Sequence, residues 1–256
     1  HPVAHSFPTR RSSDLRNSIT FSWPFGLALI LLFGIPRFFI VLQANVSGNY
    51  SLVSVLFLLM WIAPFLLLNK PGRKKIGIKK PDNFMWLIWS FPAGMMVCLV
   101  VFFIGEWLYD HTITNWFVYI SRSYNVPGFS PEGAERFTYF LIFSAIAITF
   151  SPVGEELMYR GLIHQCFVPK FGENGASVID SIAFGLTHLA HFGILYIDGT
   201  YRFVLFPALI WVILMYYAGR IFFLAKIKTG SILGPIIAHA GFNLAMTWFI
   251  FYRILA

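Results

Sequence analysis

Charge is what this sequence has least of. Only 12% of its 256 residues are Asp, Glu, Lys or Arg, while 57% are hydrophobic and the mean hydropathy is +0.70. A soluble domain carries about 25% charged residues, so a water-facing surface over the whole chain is excluded. Cysteine is nearly absent as well. Cys98 and Cys166 both lie in apolar stretches far apart, which speaks against a disulfide scaffold and for small packing residues. There is no internal repeat and no low-complexity tract, so the inverted-repeat organisation of many transporters finds no support. No HExxH is present, and with it the usual zincin spacing is missing. Acidic residues number 11 against 19 Lys and Arg, a net charge of +8. The basic residues cluster in one short loop instead of covering a face, so no nucleic-acid partner is expected.

What is present is apolar sequence in long runs. Crossing about 30 Å of hydrocarbon takes about 20 apolar residues, and seven segments approach that length: 19–42, 51–68, 84–104, 137 to beyond 156, 176–196, 203–225 and 232–251. Each can satisfy its backbone internally only as a helix. The expected fold class is therefore all-α, a polytopic membrane helical bundle of seven transmembrane helices. Before it, His5–Leu15 reads HSFPTRRSSDL, and all eleven residues fit the translation of a common short-read sequencing adapter. Residues 1–15 are set aside as an adapter artefact, which leaves a net charge of +7 and five histidines and puts the authentic start near Arg16 or beyond the sequence. Two regions then remain, 16–136 with three spans and 137–256 with four.

Orientation follows from the loops. KPGRKKIGIKKPDN, between the second and third segments, holds six Lys or Arg (Lys70, Arg73, Lys74, Lys75, Lys79 and Lys80) against Asp82. By the positive-inside rule this loop is cytoplasmic. Alternation puts Lys170, Lys226 and Lys228 inside too, with the N-terminus cytoplasmic and the C-terminus outside a cell (plasma) membrane. Trp86, Trp89, Trp107 and Trp116 suit interfacial belts.

Ionisable residues within spans are functional candidates. The fourth segment ends FSPVGEELMYRGL. Glu156 and Arg160 share a helix face and can pair. Glu155, about 100° round the helix, has no partner at i+4 and is left in an apolar setting. Carboxylates that diverge in this way suit general base work. The bland alternative is a helix end with snorkelling charges. The fifth segment holds FGLTHLAH, with Phe184 and His188 one turn apart, Gly185 for close helix approach, His191 beside them and Asp180 at the start. The seventh holds HAGFN, with His239 and Asn243 on one face among small residues; such groups serve as metal ligands or as donors to a developing oxyanion. At about 1.5 Å per residue, Glu155 lies about 8 Å from Arg160 at the inner end. His239 and His188 lie about 10 and 18 Å from the inner ends of their own helices. One cavity open toward the cytoplasm is expected.

EELMYR fits EExxxR, FGLTH fits FxxxH and HAGFN fits HxxxN. In that order, on separate spans, they resemble the CPBP family, also called the Abi or type II CAAX endopeptidase family, and KTGSILGPIIAH looks like its lead-in to the last motif. The resemblance covers residues 137–243, with the first three spans matching only in layout. It implies an intramembrane endopeptidase, often called a metalloprotease, that hydrolyses peptide bonds of membrane-associated substrates near the cytoplasmic face. It maps water activation onto Glu155, support onto Glu156 and Arg160, and active-site roles onto His188, His239 and Asn243. A Zn2+ or other divalent ion on His188 and His239 is one version; Glu155 as base with His and Asn donors and no metal is the other. The partners are the lipid bilayer and a peptide or protein substrate, lipid-modified or not. His164 and His191 fall outside the motifs and read as packing or interfacial residues. The rival readings are a non-catalytic immunity or scaffold protein that binds another membrane protein, and a transporter.

Overall fold

The computed structural model describes residue 14 and residues 20–124 and 133–255. The adapter-like segment lies outside them except for Asp14, which meets Lys75 at 2.9 Å in a solvent-exposed pair. The chain is an all-α bundle. Helices α1 (Trp23–Ser47) and α2 (Ser51–Leu67) form a first pair, followed by the short α3 (Lys70–Lys75) in the basic loop. Then come α4 (Phe84–Tyr109) and α5 (Trp116–Ser121). Helix α6 (Gly133–Glu156) runs through a π-helical stretch, Leu157–Ile163, into α7 (His164–Thr187). A small antiparallel hairpin, β1 (Ile194–Ile197) and β2 (Thr200–Phe203), pairs Ile194 with Phe203 and precedes α8 (Leu205–Thr229) and α9 (Leu233–Phe249).

Most of each apolar segment falls on helix, the fifth running on into β1, but among the described residues five helical runs, not seven, are long and apolar enough to cross a membrane. The difference has two sources. Helix α2 has 17 residues, about 26 Å at 1.5 Å each. The fourth and fifth segments belong to one run, Glu135–Ala190, because the helix does not stop after the glutamates. It turns later, at Gly172, where φ 68 and ψ 175 break the helical path.

The outside of the bundle is apolar. Leu32, Phe39, Leu66, Ile88 and Phe206 are each between 64% and 74% exposed, an arrangement that suits lipid and not water. Trp86, Trp89 and Trp107 are exposed as a belt requires, whereas Trp116 is fully buried, donating to the Val101 carbonyl at 3.2 Å and stacked on Trp211. The polar residues point inward, with Arg37, Glu155, Glu156, Arg160, His164 and Asp180 all at 0–1% exposure.

Glycine sets the closest helix contact. A Cβ on Gly94 of α4 would run into the Ala238 carbonyl of α9, and one on Gly241 of α9 into the Phe91 carbonyl of α4. The two backbones therefore touch, the geometry that small residues permit between membrane helices. Gly94→Leu should force them apart, at a cost of about 1–3 kcal/mol or more for overpacking. A lower unfolding temperature in detergent and loss of the monodisperse peak are the expected readouts.

Candidate active site

The EELMYR stretch lies inside the bundle because the helix carries on beyond it. Glu155 closes the regular part of α6 with Glu156, and Arg160 sits within the π-helical stretch, a geometry that recurs at functional sites. Snorkelling charges would be wet; these three are 1%, 0% and 0% exposed. Each needs an internal partner, since burying an unpaired charge is prohibitive.

Glu155 finds its partner on α1. Arg37 Nη2 donates to Glu155 Oε1 at 2.7 Å, and Arg37 Nη1 donates to Thr187 Oγ1 at 3.1 Å. Ser151 Oγ donates to the same Oε1 at 3.0 Å. Glu155 has no charge partner at i+4, but its setting is not simply apolar, because a partner comes from a distant helix. Its other oxygen, Oε2, is buried with no hydrogen-bond partner among the described residues. Arg37 was legible as a charged residue in the middle of an apolar span, but its partner was not.

Glu156 joins a second network. Arg160 Nη1 donates to Glu156 Oε1 at 3.3 Å, the i,i+4 pair expected, and His239 Nδ1 lies 2.8 Å from the same oxygen. On its far side, Arg160 Nε lies 3.6 Å from Asp180 Oδ1. Its guanidinium carbon sits 4.2 Å over the Phe184 ring, and Gly219 leaves the room it occupies. His164 is not a packing residue: its Nδ1 is 2.7 Å from Asp180 Oδ2 and its Nε2 is 2.9 Å from Glu173 Oε2. Lys226 Nζ donates to the Arg160 carbonyl at 2.5 Å.

A cavity of about 260 Å³ brings Glu155, His188, His239 and Asn243 together, with Arg37 and His191 also on its wall. Glu156 and Arg160 stand behind it and do not line it. His188 Nδ1 donates to the Phe184 carbonyl at 2.7 Å; a carbonyl only accepts, so the neutral ring carries its free lone pair on Nε2. With Glu156 accepting from Nδ1, the same holds for His239. Asn243 Nδ2 donates to the Ala147 carbonyl at 2.9 Å and retains a second hydrogen. His191 Nε2 is 3.5 Å from Arg37 Nη2, so it too belongs to the site and not merely to packing. None of the lining residues comes from the basic loop or from the α8–α9 turn; the wall runs instead to Tyr50, Ile120, Ser123 and Tyr124. The expected opening toward the basic-loop side thus has no counterpart in the lining.

The two imidazole lone pairs and Glu155 Oε2 are metal-ligand chemistry, but they do not form a closed set. The only group of three His, Cys, Asp or Glu ligand atoms within 4.8 Å of one another among the described residues is Glu106, Asp110 and His111, at the end of α4 and away from the cavity. Arg37 also brings a positive charge to the carboxylate that a dication would need. As placed, the residues do not fit a metal.

Residues 137–245 match the type II CAAX prenyl endopeptidase Rce1-like family. The match is consistent with the CPBP resemblance of the three motifs. Together with the apolar helices it makes the chain an integral membrane protein. An uncharacterized protein of Mycoplasma capricolum subsp. capricolum is 26% identical over 201 residues, 68% of this chain and 56% of the relative. The chain thus spans little more than half the length of that relative. No solved structure matches it. Glu155, Glu156, Arg160, His188, His239 and Asn243 all fall within the Rce1-like region, whereas Arg37 lies outside it.

Arg160 bridges two carboxylates, so its removal leaves both without their cation. Arg160→Met should destabilise the protein by about 3–5 kcal/mol, as breaking buried ion pairs does. Arg160→Lys should recover only part, because a point charge cannot span both partners and stack on Phe184. Thermal unfolding of the purified protein in detergent reads both.

Proposed function

We propose that the protein is an intramembrane endopeptidase in which Glu155 activates water for attack on a peptide bond of a membrane-associated substrate. The observation that carries this reading is the Glu155 carboxylate itself: it lines the cavity beside His188, His239 and Asn243, with one oxygen fixed by Arg37 and Ser151 and the other unpartnered. The unpartnered oxygen is where a water can give up its proton. Arg37 balances the carboxylate's charge and fixes its rotamer, which makes it a positioning residue. His188 Nε2 and His239 Nε2 accept from the same water or take up a proton for the leaving amine. The remaining Asn243 N–H is a donor for the developing oxyanion. Glu156 and Arg160 act one step removed, by holding the His239 ring. The apolar cavity wall, including Val53, Phe57, Phe143 and Phe150, keeps bulk water away and strengthens these contacts.

We favour the version without a metal, since the donor atoms do not close into a ligand set and Arg37 already supplies the positive charge. The Rce1-like match makes membrane-anchored peptides, with and without a lipid modification, the first substrates to try. A purely binding role gives no reason for an unpartnered buried carboxylate oxygen in a cavity.

Cleavage of membrane-anchored model peptides by protein in proteoliposomes tests the reading. Glu155→Gln should lower turnover by about 10²-fold or more and also the unfolding temperature, because Arg37 loses its counter-charge. The double variant Glu155→Gln, Arg37→Gln should recover stability without recovering turnover. Near-normal turnover in Glu155→Gln would remove Glu155 from the chemistry. Chelation should leave wild-type turnover unchanged; loss on chelation with rescue by zinc would restore the metal version, with His188 and His239 as ligands.

A further inference from the structure

The helix directions fix which end of the bundle each cavity residue belongs to. Helix α1 starts beside the basic loop: Phe21 lies under the Lys75 ammonium, and Gly26 packs on Cys166 and Phe167. It ends at the opposite face, where Asn45 Nδ2 donates to the Ala190 carbonyl at 2.9 Å and the Leu42 carbonyl accepts from Tyr201 of the hairpin at 3.4 Å. Tyr50, Ile120, Ser123 and Tyr124, all on the cavity wall, belong to that hairpin face. So does a second cavity of about 500 Å³, which shares Tyr50, Ile120, Ser123 and His191 with the first. Its wall adds Asn45, Ser47, Arg122 and the Tyr119 side, polar groups suited to the amides of an extended chain.

The other end is shut. Below Glu155 lie Met158, Arg160, Leu162, Ile76 and Ile232, none more than 3% exposed. The basic loop is fastened over them: Ile232 N–H donates to the Gly77 carbonyl at 2.9 Å, Asp82 N–H to the Thr229 carbonyl at 2.8 Å, and Ser231 Oγ to the Lys79 carbonyl at 2.7 Å. Arg160, Asp180 and His164 fill the remaining depth with mutually bonded polar side chains.

From this we infer that the site is entered from the hairpin face, opposite the basic loop, and that its substrate is a polypeptide segment with apolar side chains presented at that face. By the positive-inside rule this is the outer side of the membrane. The inference rests on the proposed hydrolysis for what happens to the segment, but the route of entry stands on the cavity alone.

Cysteine accessibility tests the route without any turnover. Cys98 and Cys166 are buried and are replaced by Ala. Three single-cysteine variants are then made in the full chain. Ser54→Cys is a near-isosteric change on the cavity wall, and Thr200→Cys and Lys79→Cys report the two faces. A permanently charged, membrane-impermeant methanethiosulfonate is applied to right-side-out and inside-out vesicles. The expected result is that Ser54→Cys reacts in the orientation in which Thr200→Cys reacts and not in the one in which Lys79→Cys reacts. For the outer-side assignment, Thr200→Cys must react in right-side-out vesicles. Reaction of Ser54→Cys with the Lys79 face, with both faces or with neither overturns the inference. Ser123→Cys replaces Ser54→Cys should that variant fail to fold, with the same outcomes. Loss of the hydrolysis reading through Glu155→Gln would leave these results untouched, so the two failures are distinguishable.

Discussion

A carboxylate sunk in a bilayer must be matched by a cation from the protein itself, and the Arg37–Glu155 pair at 2.7 Å is where this chain meets that demand. Much follows from it. Helix α1 has to dock where α6 and α7 meet, because that is the only way its guanidinium reaches Glu155 and Thr187 together. Docking α1 there also defines one wall of the cavity and brings His191 into it. Because the pair uses only one carboxylate oxygen, the same contact that stabilises the charge leaves the other oxygen free for chemistry.

The second network has a different task. Glu156, Arg160, Asp180 and His164 contact one another in sequence through a region with no access to water. Only Glu173, at its end, reaches the surface. This matched polar plug closes the bundle toward the basic loop and holds the His239 ring by one nitrogen. Ionic groups thus do two jobs in a single helix turn: Glu155 faces the cavity, and its neighbour faces the plug.

How much of this could be read from the sequence depends on range. Helices and their apolar faces were legible because hydrophobic runs and the need to satisfy the backbone in lipid are local constraints. The Glu156–Arg160 pair was legible for the same reason, being an i,i+4 relation. The Arg37–Glu155 contact joins residues 118 apart, and nothing in the pattern of either segment names the other. The depth of the motif was not legible, because the helix was taken to end near Arg160, whereas it runs on to Gly172 and buries the motif deeper. Trp116 misled in the same way, as an aromatic residue near a helix end that packs inward against Trp211.

The contact between α4 and α9 bears on how such a molecule can move. Two helices whose backbones touch through Gly94 and Gly241 cannot tilt past one another without opening a gap that lipid cannot fill smoothly. Helix α9 carries His239 and Asn243, so these groups share the stiffness of the weld. Rigid-body rocking about a central site, the motion by which transporters alternate access, would have to break that seam. On the proposed hydrolysis, the machinery stays put and the polypeptide must do the travelling and unfolding.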